Sequence, residues 1–536
     1  MATQTSTTHD DLSEVPLNLF QRISDVIKPW AKGSPDRQAL VETAGTWTYR
    51  QLASAVAEVK TWLADLGVRP GDRVVIVCEN CRAFVAIFLA LSELDAWPVL
   101  VNARLSAREV DQIRDHCGAR RVIYTTSVSP HATAHAKRHG AISEQVTSLG
   151  SVAVGLLNAD TAPEPVDANC ANNVAALIYT SGTTGVPKGV MLTHRNLLFV
   201  AAVSARIRAL TADDRVYGIL PMSHAVGLSV VLLGTLISGA TLHLSPRFDP
   251  AAALEALEKN RLTVMLGVPA MFALLLQYAE TKGFESVKFP ALRIISSSGA
   301  PLDAALKTAV EKFFELPLYN GYGVTECSPN IAQAKIETPR KDTSVGRVFP
   351  GVEVKFMGAD RKPVGEGEVG ELWVRGPNVM KGYYRAPEET AAAIDAEGWF
   401  NTRDLARLED SHLFIVGRTK ELIVRFGFNV YPAELEAVLN AHPAVVRSAV
   451  IGRATEGTEG GEEIVAFVQP LPDSPLTDAQ LADHAARHLA PYKRPSQIVF
   501  LPTMPLTPTG KIMKDELVRI VTHNAPVHHA DESKGV

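Results

Sequence analysis

The sequence predicts an α/β protein: a large N-terminal domain with two parallel-type sheets plus a small antiparallel β subdomain, followed by a small mobile α+β C-terminal domain. Three changes of texture carry this expectation. From about residue 40 to 330, short apolar β-branched runs alternate with helical patterns, and such alternation pairs strands in parallel through helical crossovers. From about 331 to 416, glycines at 346, 351, 358, 365, 367, 370, 376 and 382 punctuate short strands, as hairpins require. Beyond about 420, helices and strands alternate again in a compact stretch. The expected boundaries are 1–416 for the large domain (α/β part about 17–330, β-rich part about 331–416), 417–420 for a hinge, and 421–536 for the C-terminal cap.

The elements follow in order. Residues 1–16 and roughly 525–536 are polar tails, and the first sixteen lack the basic and apolar regions of a secretory signal. Strands are predicted at 74–77, 98–101, 121–124, 176–179, 216–220, 241–244, 263–266, 293–296 and 317–319, each a short run rich in apolar residues. Helices are predicted at 82–93, 107–116, 195–207, 250–259, 269–278 and 302–314. A strand at 371–375 belongs to the β-rich part. Helices at 432–440 and 478–488 and strands at 446–451, 464–469 and 497–501 build the cap.

Two stretches need separate reading. Cys78-Glu-Asn-Cys81 has the spacing of a redox or zinc pair, but no second pair accompanies it. It reads as a strand end meeting a helix start. Residues 216–246 contain no Asp, Glu, Lys or Arg and are long enough to cross a membrane. Pro221, His224, Gly227, Ser229, Gly234, Ser238 and Gly239 interrupt the run, so a buried helix and strand are expected, and no transmembrane segment.

Composition narrows the function classes. The 536 residues are 46% hydrophobic and 21% charged, which excludes disorder for most of the chain. The net charge of −5 removes the electrostatic footprint of a nucleic-acid binder. Five cysteines, an odd count, make no disulfide framework and suit a reducing compartment, so a cytoplasmic location is expected.

The strongest local signal is Tyr179-Thr-Ser-Gly-Thr-Thr-Gly-Val-Pro-Lys-Gly189, set between an apolar strand and a helix. Its glycines let backbone approach an anion. Thr180, Ser181, Thr183 and Thr184 offer hydroxyls, Gly182 and Gly185 open the turn, and Lys188 adds charge. This is a phosphate cradle but not a Walker A loop, whose spacing cannot be placed here. Further along come Ser298-Gly299-Ala300-Pro301, Asn320-Gly321-Tyr322-Gly323-Val324-Thr325-Glu326 and Trp399-Phe-Asn-Thr-Arg-Asp404. Gly417-Arg418-Thr-Lys420, Gly427-Phe-Asn429 and Pro505-Leu-Thr-Pro-Thr-Gly510-Lys511 complete the set.

Taken in this order, these segments resemble the signature motifs of the adenylate-forming superfamily, which includes acyl-CoA synthetases, peptide-synthetase adenylation domains and luciferases. The resemblance spans about residues 20–520. It implies an AMP-forming acid–CoA ligase. By that resemblance Tyr322 stacks on adenine, Gly299, Ala300 and Pro301 form the shelf behind it, and Asn320, Gly321 and Gly323 belong to the same nucleotide site. Thr325 contacts the α-phosphate, Glu326 helps hold Mg²⁺, and Asp404 accepts from ribose hydroxyls. Arg403 stands where the family usually has glycine. Arg418 reaches ribose or phosphate, Lys420 is the hinge, Gly427 lines the pantetheine tunnel for CoA, and Lys511 is the catalytic lysine. The Lys511 context also resembles an acetylation site, which implies a lysine acetyltransferase as a partner.

The resemblance implies a two-step reaction in which MgATP activates a carboxylic acid as acyl-AMP, and CoA thiol then displaces AMP after the cap rotates. It puts His224, Ala225, Val226, Gly227, Gly299 and Val324 around the acid. Small residues dominate these segments and none is cationic, which suits a medium- or long-chain fatty acid or an aryl acid better than a dicarboxylate. An acyl-AMP ligase that loads a separate carrier protein is the alternative. Oligomeric state is not legible.

Overall fold

In the computed structural model, the described residues are 20–180, 187–425, 428–454, 462–472, 474–507 and 512–523. The chain divides into two compact units, Met1–Ile415 and Val416–Val536.

Two large sheets organise the first unit. One has nine strands in the order Arg347–Val348, Asn330–Gln333, Leu318–Gly323, Ile294–Ser297, Val264–Gly267, Arg215–Gly218, Thr241–Leu244, Gln38–Glu42 and Gly45–Thr48. The strands from Leu318–Gly323 to Gln38–Glu42 are parallel, and antiparallel pairs close both edges. The other has eight strands: Gly382–Tyr383, Lys188–Thr193, Val174–Thr180, Trp97–Asn102, Arg73–Cys78, Arg121–Tyr124, Gly150–Val154 and Ile142–Val146. The central strands Val174–Thr180, Trp97–Asn102, Arg73–Cys78 and Arg121–Tyr124 are parallel and nearly all buried, as two-sided cover by helices requires. A separate four-stranded sheet holds Glu353–Met357, Gly370–Arg375, Phe400–Glu409 and His412–Arg418. Within the β-rich stretch, Asn330–Gln333, Arg347–Val348 and Gly382–Tyr383 therefore serve the two large sheets, not the small one.

Helix edges follow their caps. Ala107–Cys117 starts where Ser106 accepts from Glu109 N, with Glu109 reaching back to Ser106, and it stops at left-handed Gly118. His194–Ile207 starts at Thr193 in the same way, with Asn196 as partner. The predicted helix 302–314 begins instead at Ala304, because the Asp303 carboxylate takes the Leu306 N–H and so marks the boundary. The predicted strand 216–220 ends at Gly218 because the Asn80 amide takes the carbonyls of Gly218 and Leu220, at 3.0 and 2.9 Å.

The uncharged run folds as expected into buried helix and strand, but the helix is wound more widely. Val226–Leu233 is a π-helical segment, followed by α-helical Gly234–Ile237 and the inner strand Thr241–Leu244. Among the described residues no helix is long and apolar enough to cross a membrane. Cys78 closes its strand, and the Cys81 sulfur caps helix Arg82–Glu93 by accepting from Phe84 N, so the pair is structural.

The second unit pairs Val445–Ala454 antiparallel with Glu462–Pro470, which pairs parallel with Gln497–Phe500. Helices Pro432–Asn440 and Asp478–His488 bury Leu435, Leu439, Leu481 and Ala485 in a core with Val450, Ala466 and Val468. Helix Lys514–His523, absent from the sequence reading, packs Leu517 and Val521 with Ile451, Phe467 and Met504.

Candidate active site

The carboxyl ends of neighbouring parallel strands converge on one region of the first unit. Gly218, Gly267, Ser297 and Gly323 end four strands of the nine-stranded sheet, and each is followed by a motif or pocket segment. Ligands of open α/β sheets bind at such ends.

Residues 320–323 lie within the strand Leu318–Gly323 rather than after it. Gly323 is required there: a Cβ would fall 2.1 Å from the Pro329 carbonyl oxygen. Asn320 spends its side chain on the fold, donating to Thr343 O at 2.9 Å and accepting from Gly321 N at 3.0 Å. The Tyr322 hydroxyl donates to Asp404 Oδ2 at 2.5 Å. Burial and that carboxylate push the phenol well up, so it stays a donor. Asp404 is buried in Phe400–Glu409, its N–H bonded to Thr402 Oγ1. Arg403 takes φ +58°, a left-handed conformation that a glycine would adopt without strain, in keeping with the glycine the resemblance puts at this position.

Thr325 and Glu326 open the 3₁₀ turn Thr325–Cys327. The Tyr383 hydroxyl donates to Glu326 Oε1 at 2.9 Å, and Met380 N donates to the Glu326 carbonyl at 2.8 Å. Lys188 Nζ stands over the Tyr383 ring, 5.2 Å from its centre. Thr180 and Lys188 pair across a hairpin that frames the glycine-rich loop. Ser181, Gly182, Thr183, Thr184 and Gly185 lie outside the described residues, as do Gly427 and Lys511.

His224, Ala225, Val226 and Gly227 lead into the π-helical segment. A Cβ on Gly227 would fall 2.2 Å from Pro221 O, so this glycine serves a tight backbone approach. Burial, then Arg104, lowers the His224 pKa to about 4, leaving a neutral imidazole at pH 7. Val226, Val268, Tyr322 and Val324 are partly buried at the edge of the main core, the apolar border that an acid pocket needs. Gly299 is exposed with φ +82°, and Ala300 and Pro301 continue that turn.

Sequence reasoning missed two residues here. Asn80, from the other large sheet, also accepts from Met222 N at 2.9 Å and so braces the loop before His224. Arg104 follows the strand Trp97–Asn102, lies 3.9 Å from buried Glu79 and brings a cation towards His224. No local motif signals either. Arg418 ends the strand His412–Arg418, and Lys420 is exposed in the turn Thr419–Glu421; both belong to the second unit.

The AMP-binding enzyme family model matches residues 27–384, and the AMP-binding enzyme C-terminal domain matches 434–511. The chain belongs to the AMP-binding enzyme family. A feruloyl-CoA synthase from Amycolatopsis is 35% identical over 494 residues, covering 91% of this chain and 97% of that one. A 4-coumarate–CoA ligase from Pinus taeda is 32% identical over 501 residues, 90% of this chain and 91% of that one. O-succinylbenzoate coenzyme A synthetase from Bacillus subtilis, solved with ATP and magnesium ion, superposes with a TM-score of 0.78 at 29% identity, covering 92% and 99% of the two chains. This member of the family is an AMP-forming acid–thiol ligase, with a carboxylic acid, ATP and CoA as its substrates. Residues 511 and 434 bound the C-terminal match, so Lys511 is its last residue.

Proposed function

We propose that this ligase activates an aryl acid of the hydroxycinnamate type as acyl-AMP and transfers the acyl group to CoA. One observation carries the reading: a single strand and turn, Leu318–Cys327, presents apolar Val324 to the core edge beside Tyr322 and Glu326. The acid pocket and the nucleotide site then share one wall. Feruloyl-CoA synthase and 4-coumarate–CoA ligase, similar along nearly the whole chain, support an aryl over a fatty acid.

A carboxylate does not acylate a thiol because oxide is a poor leaving group. In the first step a carboxylate oxygen attacks the α-phosphorus of ATP and the bond to pyrophosphate breaks. Lys511 neutralises charge as it develops there, and Thr325 donates its hydroxyl to the α-phosphate. Asp404 accepts from ribose, and the 180–188 loop cradles the outgoing phosphates. His224 is neutral and borders the acid without adding charge. In the second step the thiol sulfur attacks the acyl carbon, loses its proton, and AMP leaves. The thiol needs an open path where the lysine stood, so the cap turns about Lys420 and Gly427 leaves room for pantetheine.

Mg²⁺ fits the donor chemistry. Among the described residues no cluster of three or more His, Cys, Asp or Glu could hold a metal, whereas Mg²⁺ commonly binds through one carboxylate plus substrate phosphates. Glu326 is that carboxylate, and the ion would neutralise phosphate charge.

The test is a panel of acids with ATP and CoA, reading AMP and CoA thioester. Ferulate and 4-coumarate should exceed octanoate and palmitate by about tenfold or more in kcat/KM. AMP release without thioester would favour the carrier-loading alternative, and a preference for palmitate would overturn the aryl assignment. Lys511→Ala should lower adenylate formation by about 100-fold or more yet spare thiolysis of supplied acyl-AMP. Equal loss of both steps would remove Lys511 from its role.

A further inference from the structure

Tyr383 sits between two groups of opposite charge that the proposed reaction needs separately. Its short strand Gly382–Tyr383 pairs antiparallel with the strand that begins at Lys188, Tyr383 opposite Val190. Lys381 N donates to Met191 O at 3.0 Å and Tyr384 N to Gly189 O at 2.7 Å. Just upstream, Met380 N donates to Glu326 O at 2.8 Å. One segment is thus tied by backbone to both the lysine strand and the Glu326 turn. Thr390 Oγ1 accepts from Tyr383 N at 2.9 Å and fixes the residue further.

The side chain repeats this double attachment. Its hydroxyl donates to Glu326 Oε1 at 2.9 Å, while Lys188 Nζ lies over its face, 5.2 Å from the ring centre. Among the described residues, Lys188 and Glu326 form no ion pair with each other, and Glu326 Oε2 accepts no hydrogen bond. Lys188 and Glu326 thus meet different parts of one side chain, the ring face and the hydroxyl. The ring keeps the ammonium on a π face, a weaker hold than a carboxylate. The hydroxyl orients the carboxylate through one oxygen and leaves the other for a cation.

We infer that Tyr383 is a positioning residue for the charged end of the nucleotide: it holds Glu326 ready for a divalent ion and keeps Lys188 from pairing with Glu326 so that Lys188 can meet phosphate. The inference rests on the proposed assignment of Glu326 to Mg²⁺ and Lys188 to phosphate.

Two substitutions separate its two ends. Tyr383→Phe keeps the ring and removes the hydroxyl; Tyr383→Leu removes both. Mn²⁺ binding to the enzyme–ATP complex, read by electron paramagnetic resonance, reports the carboxylate end. Calorimetric ATP binding without divalent ion reports the lysine end. Tyr383→Phe should weaken Mn²⁺ binding about tenfold, the scale of one hydrogen bond to a charged group, with metal-free ATP affinity within about twofold of the parent. Tyr383→Leu should weaken both. Wild-type Mn²⁺ binding in Tyr383→Phe, or equal loss of both affinities in it, overturns the inference. Glu326→Gln separates this from failure of the underlying reading: if that variant binds Mn²⁺–ATP normally, the Glu326 assignment itself falls. Loss in Glu326→Gln without loss in Tyr383→Phe refutes Tyr383 alone.

Discussion

Arg403 holds φ +58° between Thr402 and Asp404, with its N–H on Asn401 Oδ1 at 2.8 Å. An L-residue in that region costs about 1–2 kcal/mol, and glycine returns about half of that through the freedom it gives the unfolded chain. Arg403→Gly should therefore stabilise the first unit by about 0.5–1 kcal/mol, seen as a higher urea midpoint by tryptophan fluorescence. A loss of stability would mean that the guanidinium makes up for its backbone. Legibility at this scale depends on whether a residue's role is local. Asp404, Glu326 and Tyr322 could be singled out because their motifs are contiguous, and the structure joins two of them through the Tyr322–Asp404 hydrogen bond. Asn320 was readable only as part of a motif; its amide turned out to hold Thr343 and Gly321. Asn80 was not readable at all. Its importance comes from Gly218, Leu220 and Met222, which approach it from far along the chain.

Among elements, the start of helix Lys514–His523 is fastened within the second unit. The Lys514 ammonium lies 2.8 Å from Glu421 and 2.8 Å from Glu436, with about a fifth of its side chain exposed at 21%. Glu421 closes the turn that contains Lys420, and Glu436 also accepts from Val450 N. Thus one cation, three residues after Lys511, joins the expected hinge to helix Pro432–Asn440 and the sheet. Lys514→Met would leave two facing carboxylates without it, at a cost of about 2–3 kcal/mol, below the range for a fully buried pair because solvent reaches this one. All six tryptophans lie before residue 400, in the first unit. Far-UV circular dichroism should therefore show an earlier transition while the tryptophan-detected midpoint stays in place; an equal fall in both refutes a local effect. The sequence reading found most element types, because caps and apolar runs are local. It missed this helix, the helices Tyr49–Asp65 and Pro130–Arg138, and the π winding of Val226–Leu233, since an uncharged run shows burial but not how many residues fill each turn.

For the whole molecule, three histidines in the first unit make a common demand. His194, His224 and His243 each have a pKa lowered to about 4, in every case chiefly by burial. The folded state thus keeps them neutral, while the unfolded chain takes up protons near pH 6.5. Between those values the unfolded state binds more protons, so stability must fall as pH drops through 6.5 and the loss must level off near 4. His194, 1% exposed, accounts for on the order of 3 kcal/mol of this; His224 is half-buried and contributes less. Together they weigh against a total stability of about 5–15 kcal/mol. The paired carboxylates act in a different window: Asp111, held to about 2 first by its Arg138 hydrogen bond, loses its contribution only below about pH 4. Tryptophan-detected urea unfolding should therefore lose several kcal/mol from pH 7 to pH 4.5, above the range in which most of the carboxylate contribution is lost. His194 Nδ1 accepts from Ile23 N at 3.3 Å, a role an amide oxygen can take over. His194→Asn should accordingly keep that bond, drop the titrating ring and flatten the stability curve between pH 6.5 and 4.5. A curve parallel to the parent's, merely displaced, would show that the acid sensitivity lies elsewhere than in these buried rings.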